Sequence, residues 1–315
     1  MMSPDHLPSV SADISERFFT MSPLPRRRIR WAWICLTPAL LTVAAVAGWP
    51  LIRTSILAFT DTRLSQMAEI KWVGFENLIA VVRDPIWWLA VRNTLVFTVG
   101  SVSIELVLGL CFALMLNSKL TGVRALWAVA LIPWAVPTIV TAQMWKWMYH
   151  DIFGILNELL IVTGLADQPI AWLAEPNLSM VAVIIADVWK TTPFVTLLLL
   201  AGLQTIPPQL IEAARIDGAG PLARLRYIII PLLTPAIIVA VLFRMLDAVR
   251  VFDLIYVMTS NARSTVTVSV YARQQLVDFQ NVGYGSAASL MIFLLIGILS
   301  IVCVLALRPR IGASR

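Results

Sequence analysis

Apolar residues occur in this chain in long unbroken blocks, without the alternation of a half-buried strand or the striping of a soluble helix. The blocks cover residues 31 to about 51, 93–116, 125–148, 178–203, 228 to about 252, and 284–307. Each approaches the ~20 residues that a helix needs to cross a bilayer. Backbone polar groups find no water in hydrocarbon, so such blocks close their hydrogen bonds within helices. The pattern predicts an all-α membrane protein of six transmembrane helices, with both termini on one side. The first block follows Arg26, Arg27, Arg28 and Arg30 and contains Ala45-Val46-Ala47, so a cleaved leader is the rival reading. The length of that block and the five behind it favour a span.

Charge then orients the bundle. One set of segments holds the tail arginines, Lys119 and Arg124, the group Arg215, Arg224 and Arg226, and Arg308, Arg310 and Arg315. On the opposite side, the loop 149–177 carries only Asp151, Glu158, Asp167 and Glu175. The excess of basic residues marks the first set as cytoplasmic. This gives a cytoplasmic tail over residues 1–30, a membrane domain over 31–308 and a short tail over 309–315. Tryptophans at the block ends (Trp31, Trp33, Trp49, Trp87, Trp88, Trp145 and Trp147) agree with interfacial anchoring. Pro38, Pro133, Pro137, Pro193 and Pro235 predict kinks.

Composition supports the same class. Hydrophobic residues make up 59% and charged residues 13% of the 315, against about 25% charged in a soluble domain. The net charge of +6 rests on tails and short loops, and with only four lysines there is no basic-aromatic face for nucleic acid. Cys35, Cys111 and Cys303 each lie in an apolar block, without metal-like or disulfide spacing. A phosphate-binding Gly-x-x-x-x-Gly-Lys loop is absent, as are His-Glu-x-x-His and Gly-x-Ser-x-Gly. No catalytic or metal residue is therefore expected.

The segment 204–227, between the fourth and fifth blocks, has its own signals. Pro208 suits the first turn of a helix, Gln209 to Asp217 favour its continuation, and Gly218 supplies the stop. Pro221 begins a second helix that runs into the fifth block. On these signals alone the segment is a capped helix–turn–helix linking two spans. Its residues say more. Glu212-Ala213-Ala214, three residues, Gly218, nine residues, Ile228, one residue, Ile230 and Pro231 is similar to the signature loop of binding-protein-dependent ABC permeases. The one departure is Ile230, where leucine is usual. Two further segments resemble the larger permeases of the maltose and trehalose importer type. They are Asp187-Val-Trp189-Lys190-Thr-Thr-Pro193-Phe194 and Phe252-Asp253-Leu-Ile-Tyr256-Val-Met-Thr259. Ser260-Asn261-Ala262 stands where a glycine-proline pair is typical of that group.

The resemblance implies a type I ABC importer permease fold with a cytoplasmic coupling helix, in a bacterial inner membrane. It implies that Glu212, Ala213, Ala214, Asp217 and Gly218 meet an ATPase. It implies a second permease subunit, two ATPase subunits that bind the ATP and magnesium, and an extracytoplasmic sugar-binding protein. The cargo would be a sugar such as trehalose or maltose. A glycerol phosphodiester or phosphate ester is the alternative, since Lys190, Arg244 and Arg250 suit an anion. An ion-driven carrier is disfavoured, because no internal repeat is visible.

Ionisable residues within the blocks are the remaining signal: Glu105, Lys146, Asp187, Lys190, Arg244, Asp247, Arg250 and Asp253. Such groups are costly in lipid and face a protein interior or an aqueous cavity. Asp187 and Lys190 share a helix face, and Arg244, Asp247, Arg250 and Asp253 continue the three-residue spacing along a second helix. Chemistry alone leaves two readings open, internal ion pairs or a sugar pathway with Trp189, Phe194, Phe243 and Phe252 as aromatic partners. The maltose-type resemblance favours the pathway, with Asp187, Lys190, Thr191 and Phe194 on one helix and Arg244, Asp247 and Arg250 on the next. Glu105 reads as structural, and Lys146 as a snorkelling cation at a span end.

Overall fold

The computed structural model describes residues 26–66, 70–118 and 131–312. Among them secondary structure is almost wholly helical; β-structure is limited to two isolated bridges, Thr60 with Trp72 and Arg63 with Asn281. The tail before residue 26 and the basic residues Lys119 and Arg124 lie outside the described residues, as does the beginning of the third predicted span. Among the described residues five helices are long and apolar enough to cross a membrane: Arg30–Leu57, Pro85–Leu116, Pro176–Gln204, Pro221–Val249 and Val282–Leu305. The third block contributes helical residues 131–135 and Thr138–Met148, interrupted at Val136-Pro137.

The chain divides into two compact units after Arg53. Within the first, α1 (Arg26–Val43) passes through a π-helical turn, Ala44–Gly48, into α2 (Trp49–Leu57). The cause is local. Pro50 offers no N–H, and its ring crowds the carbonyl a turn back. The turn widens, so that the Trp49 N–H reaches Ala44 O five residues away. The same device recurs before Pro231, where a π turn at Leu225–Ile229 closes with the Ile230 N–H on Leu225 O. Neither proline is among the five expected to kink a span, and of those five Pro38, Pro193 and Pro235 sit inside continuous α-helices.

In the second unit, α3 (Glu76–Arg83) leads through Asp84 into α4 (Pro85–Leu116). Asp84 caps α4 by accepting from the Ile86 N–H at 2.8 Å, and Pro85 occupies the first turn where no donor is needed. Helix α5 (Thr138–Met148) is followed by the short α6 (Ile155–Val162), then α7 (Pro176–Gln204), α8 (Pro208–Ile216) and α9 (Pro221–Arg224). Helix α10 (Ile230–Val249) is next, then α11 (Asp253–Thr259), α12 (Val268–Arg273) and α13 (Val282–Gly312). The fifth span therefore ends at Val249, short of Phe252. Asp253 does not extend its charged stripe but opens a separate short helix, because Phe252 (φ −136°, ψ −65°) breaks the helical path.

Helices α4 and α7 run against each other, with α10 across both. Small residues permit this. A Cβ on Gly109 would lie 2.8 Å from Val195 Cγ1, and one on Gly202 would lie 2.5 Å from Ala236 Cβ. Without a hydrophobic force between helices in lipid, such close approach supplies the packing energy. One apolar core gathers Trp87, Phe97, Trp145, Tyr149 and Tyr271; a second gathers Leu116, Val195, Leu199, Leu203 and Leu233. Ile298 and Ile301 on α13 remain exposed, as residues facing lipid do.

Side-chain amides and hydroxyls tie the connections to the spans. Asn93 on α4 donates to the carbonyls of Arg263 and Val266. Asn157 on α6 is fully used: its nitrogen donates to Asp151 O and Ile170 O, and its oxygen accepts from the Ile170 N–H and Trp172 Nε1. The acidic loop 149–177 is therefore ordered around one buried amide.

Candidate functional site

The charges of the apolar blocks converge. Arg244, on α10, is 2% exposed. Its Nε and Nη2 donate to Glu105 Oε2 and Oε1 at 2.5 and 2.8 Å, a two-pronged bond to α4. Nη2 also donates to Asp187 Oδ2 on α7 at 2.9 Å, and Nη1 to Asp247 Oδ2 at 2.6 Å. One guanidinium thus holds carboxylates from three helices. The Thr191 hydroxyl lies 2.7 Å from Glu105 Oε1, next to the bidentate pair.

Burial divides this cluster. Glu105, Asp187 and Arg244 are shielded, whereas the side chains of Asp247 and Arg250 are 59% and 70% exposed and stand 3.9 Å apart. A guanidinium taken out of water is stable only if its donors are occupied, and Arg244 achieves this through three carboxylates. Asp187 and Lys190, placed on one helix face by their spacing, turn to different partners. Asp187 bonds Arg244, and Lys190 Nζ donates to Val136 O at 2.5 Å, across the break that Pro137 makes in the third block.

Beside the cluster is a cleft of about 250 Å³, lined by Asp187, Lys190, Thr191, Arg244, Asp247 and Arg250, together with Thr138, Phe252 and Asp253. A second cleft of about 590 Å³ shares Thr191, Arg244, Asp247 and Arg250. Its other walls are aromatic: Trp134 stacks on Phe194 at 6.0 Å, Phe243 meets Phe194 edge-on at 6.4 Å, and Phe293 joins them. All seven residues placed on the pathway from sequence therefore line one or both clefts. Trp189 does not; it packs edge-on against Trp145 at 5.8 Å in the core. Trp134, Thr138 and Phe293 were missed because no ionisable residue lies within a turn of any of them to mark its face. Lys146 is exposed and donates to Val257 O at 3.2 Å.

The helix–turn–helix forms where its signals put it. Pro208 opens α8, Asp217 follows its last residue, and Gly218 sits at φ +81°. The Ala219 N–H returns to Ala214 O at 2.9 Å, closing the helix end. Glu212, Ala213, Asp217 and Gly218 are exposed, while Ala214 is turned inward. No side chain occupies the space around Gly218.

Comparison with known proteins agrees with this architecture. The chain is 41% identical over 279 residues to the trehalose/maltose transport system permease protein MalF of Thermococcus litoralis, covering 87% of this chain and 92% of the relative. It is 38% identical over 274 residues to the trehalose transport system permease protein SugA of Mycobacterium tuberculosis, covering 87% of each. Among solved structures, a bacterial ABC transporter involved in the import of the acidic polysaccharide alginate aligns over 92% of this chain and 96% of its own, with a TM-score of 0.75 at 20% identity. That likeness shows the fold, the type I importer arrangement expected from the loop signature. Residues 105–313, from the buried Glu105 through the signature loop to the last helix, match the binding-protein-dependent transport system inner membrane component model, and the chain belongs to that family.

Proposed function

We propose that this chain is one of two permease subunits of an ATP-driven importer and that its cargo is a neutral sugar, a disaccharide of the trehalose or maltose kind. The observation that carries the cargo assignment is the composition of the clefts. Hydroxyl-rich cargo needs paired donors and acceptors beside an aromatic face. Asp247 and Arg250 supply the first at the mouth, and Trp134, Phe194 and Phe243 the second. The names of the relatives MalF and SugA support the same reading.

Charge counting separates sugar from phosphate ester. The smaller cleft is lined by three carboxylates (Asp187, Asp247 and Asp253) and three cations (Lys190, Arg244 and Arg250), and Glu105 stands behind it. Four of the five Arg244 N–H donors are spent on carboxylates, and Lys190 is bonded to a carbonyl. An anion would enter a region without surplus positive charge, whereas a neutral polyol would not.

In this reading the ATPase lies on separate chains and binds the nucleotide and magnesium. It meets Glu212, Ala213, Asp217 and Gly218 at the cytoplasmic face, with the buried Ala214 packed behind them, and both termini lie on that side. Exposure of Glu212 beside an unobstructed glycine turn supports that placement. An external binding protein delivers the sugar from the opposite side. The test is reconstitution with the neighbouring permease, ATPase and binding protein in liposomes, comparing wild type with Asp247→Asn. Recognition by Asp247 predicts normal assembly and normal ATP hydrolysis stimulated by loaded binding protein, with uptake reduced or its sugar preference changed. Wild-type uptake of every sugar tested would refute the assignment.

A further inference from the structure

A second basic site lies apart from the clefts. A groove of about 500 Å³ runs along α8, α9 and the end of α4, with an apolar wall that includes Leu114, Ile211, Leu222 and Ile229. Two cations, Arg215 and Arg224, line it. Arg224 Nη1 is shielded from solvent and has no hydrogen-bond partner among the described residues. Among those residues no carboxylate pairs with Arg215, Arg224 or Arg226. An unpaired guanidinium N–H is costly, so Arg224, half-buried beside the groove, gains from any acceptor to which its side chain can turn.

The position of the groove narrows the choice of acceptor. Leu114 lies in the last turn of the span Pro85–Leu116, and Leu222 and Ile229 lie in the first turns of the span Pro221–Val249. The groove therefore sits at the boundary where lipid headgroups lie. Tyr227, 72% exposed, and Arg226 flank it as interfacial residues do. Ile211 and Arg215, four residues apart, turn one face of α8 to the groove. Glu212 is exposed and Ile216 is 87% exposed on the remaining surface of that helix. One helix thus offers two separate surfaces.

We propose that this groove binds an anionic phospholipid of the surrounding bilayer, its headgroup phosphate on Arg224 and Arg215 and one acyl chain along Leu114, Ile211, Leu222 and Ile229. A planar guanidinium matches phosphate oxygens two at a time, and basic pockets at span ends take anionic headgroups. Free phosphate would satisfy the arginines but leave the apolar wall in water. A phospholipid answers both halves of the groove.

The assembled importer in nanodiscs of phosphatidylcholine, titrated with phosphatidylglycerol, tests this by native mass spectrometry. Wild type should retain phosphatidylglycerol in preference to phosphatidylcholine. The pair Arg215→Gln with Arg224→Gln should weaken that retention about tenfold or more, as expected when two charge-assisted bonds to phosphate are lost. Arg224→Lys should restore part of it. Assembly with the ATPase subunits, followed by size exclusion, is the folding control. Should the double variant fail to assemble, the wild type decides alone: photoactivatable phosphatidylglycerol should crosslink to residues 211–229 well above a phosphatidylcholine probe. Equal retention by wild type and an assembled double variant overturns the proposal. So does equal crosslinking by the two probes, and so does a groove shielded by an ATPase subunit in the complete complex.

Discussion

Replacing Arg244 by glutamine tests the central ion cluster most directly. In the wild type the guanidinium serves Glu105 through two bonds and Asp187 through a third, with both carboxylates shielded from water. Glutamine leaves two carboxylates facing one another around a neutral amide. Breaking a buried pair by removing one partner costs about 3–5 kcal/mol. At roughly 2–4 °C per kcal/mol, the slope of a domain of about 150–250 residues, the thermal midpoint of the purified protein should fall by roughly 6–20 °C. Adding Glu105→Gln to Arg244→Gln removes the main orphaned charge and should recover much of the loss, because replacing a whole buried pair is often close to neutral. The assay is thermal unfolding in detergent, followed by intrinsic fluorescence, for wild type, each single variant and the double. An unchanged midpoint in Arg244→Gln would refute the reasoning. So would a double variant less stable than both singles.

At the turn, Gly218→Ala should cost about 1–2 kcal/mol, because φ +81° is left-handed while no neighbour obstructs a Cβ; calorimetry of the purified chain reads this. Gly218→Arg and Glu212→Lys should leave the spans inserted yet separate ATP hydrolysis from uptake, and wild-type uptake in both would count against the coupling role. Gly283→Ala should fail to insert or should unfold early, since its Cβ would fall 1.9 Å from Thr60 O, a backbone atom with little room to move; protease sensitivity of membranes reports the outcome. Tyr271, buried and donating to Asp84 at 2.6 Å, has its phenol held above the ordinary value, with desolvation the larger cause and the Asp84 bond next. Its proton thus contributes stability that is intact below about pH 10 and is lost at higher pH. Tyr271→Phe should be less stable at neutral pH by ~1 kcal/mol and show a shallower loss at high pH.

Five of the six predicted spans were legible because apolar runs of that length, repeated along one chain, are best satisfied as membrane helices, and the turn because Pro208, Gly218 and Pro221 each fix backbone geometry locally. Pairing was not legible. Spacing along one helix brings Asp187 and Lys190 onto one face, but partner choice depends on which helix crosses there, and α10 puts Arg244 against Asp187. The crossing itself is set by Gly109 and Gly202, residues whose role lies in what they lack. Glu105 was visible as a charge in an apolar helix, yet nothing in α4 names a counter-ion 139 residues away. The end of α10 at Val249 was missed for a related reason: the backbone leaves the helix at Arg250 (φ −98°, ψ 16°), and neither Arg250 nor Phe252 is a residue type that breaks helices.

That separation of 139 residues between Glu105 and Arg244 has a consequence for biosynthesis. At ~5–20 residues per second, a ribosome takes on the order of 7–30 s to make Arg244 after Glu105. During that interval α4 reaches the bilayer with a carboxyl group and no counter-ion. An acidic side chain at mid-span opposes insertion by about 2.5–3.5 kcal/mol, and the apolar remainder of the helix, an 18-residue window of which has mean hydropathy 2.2, must outweigh it. Until α10 emerges, α4 is a span held by its apolar majority alone. The order in which the chain leaves the ribosome therefore makes the fifth span the one that fixes the second, and a truncation before residue 244 strands an inserted helix carrying a charge meant for another.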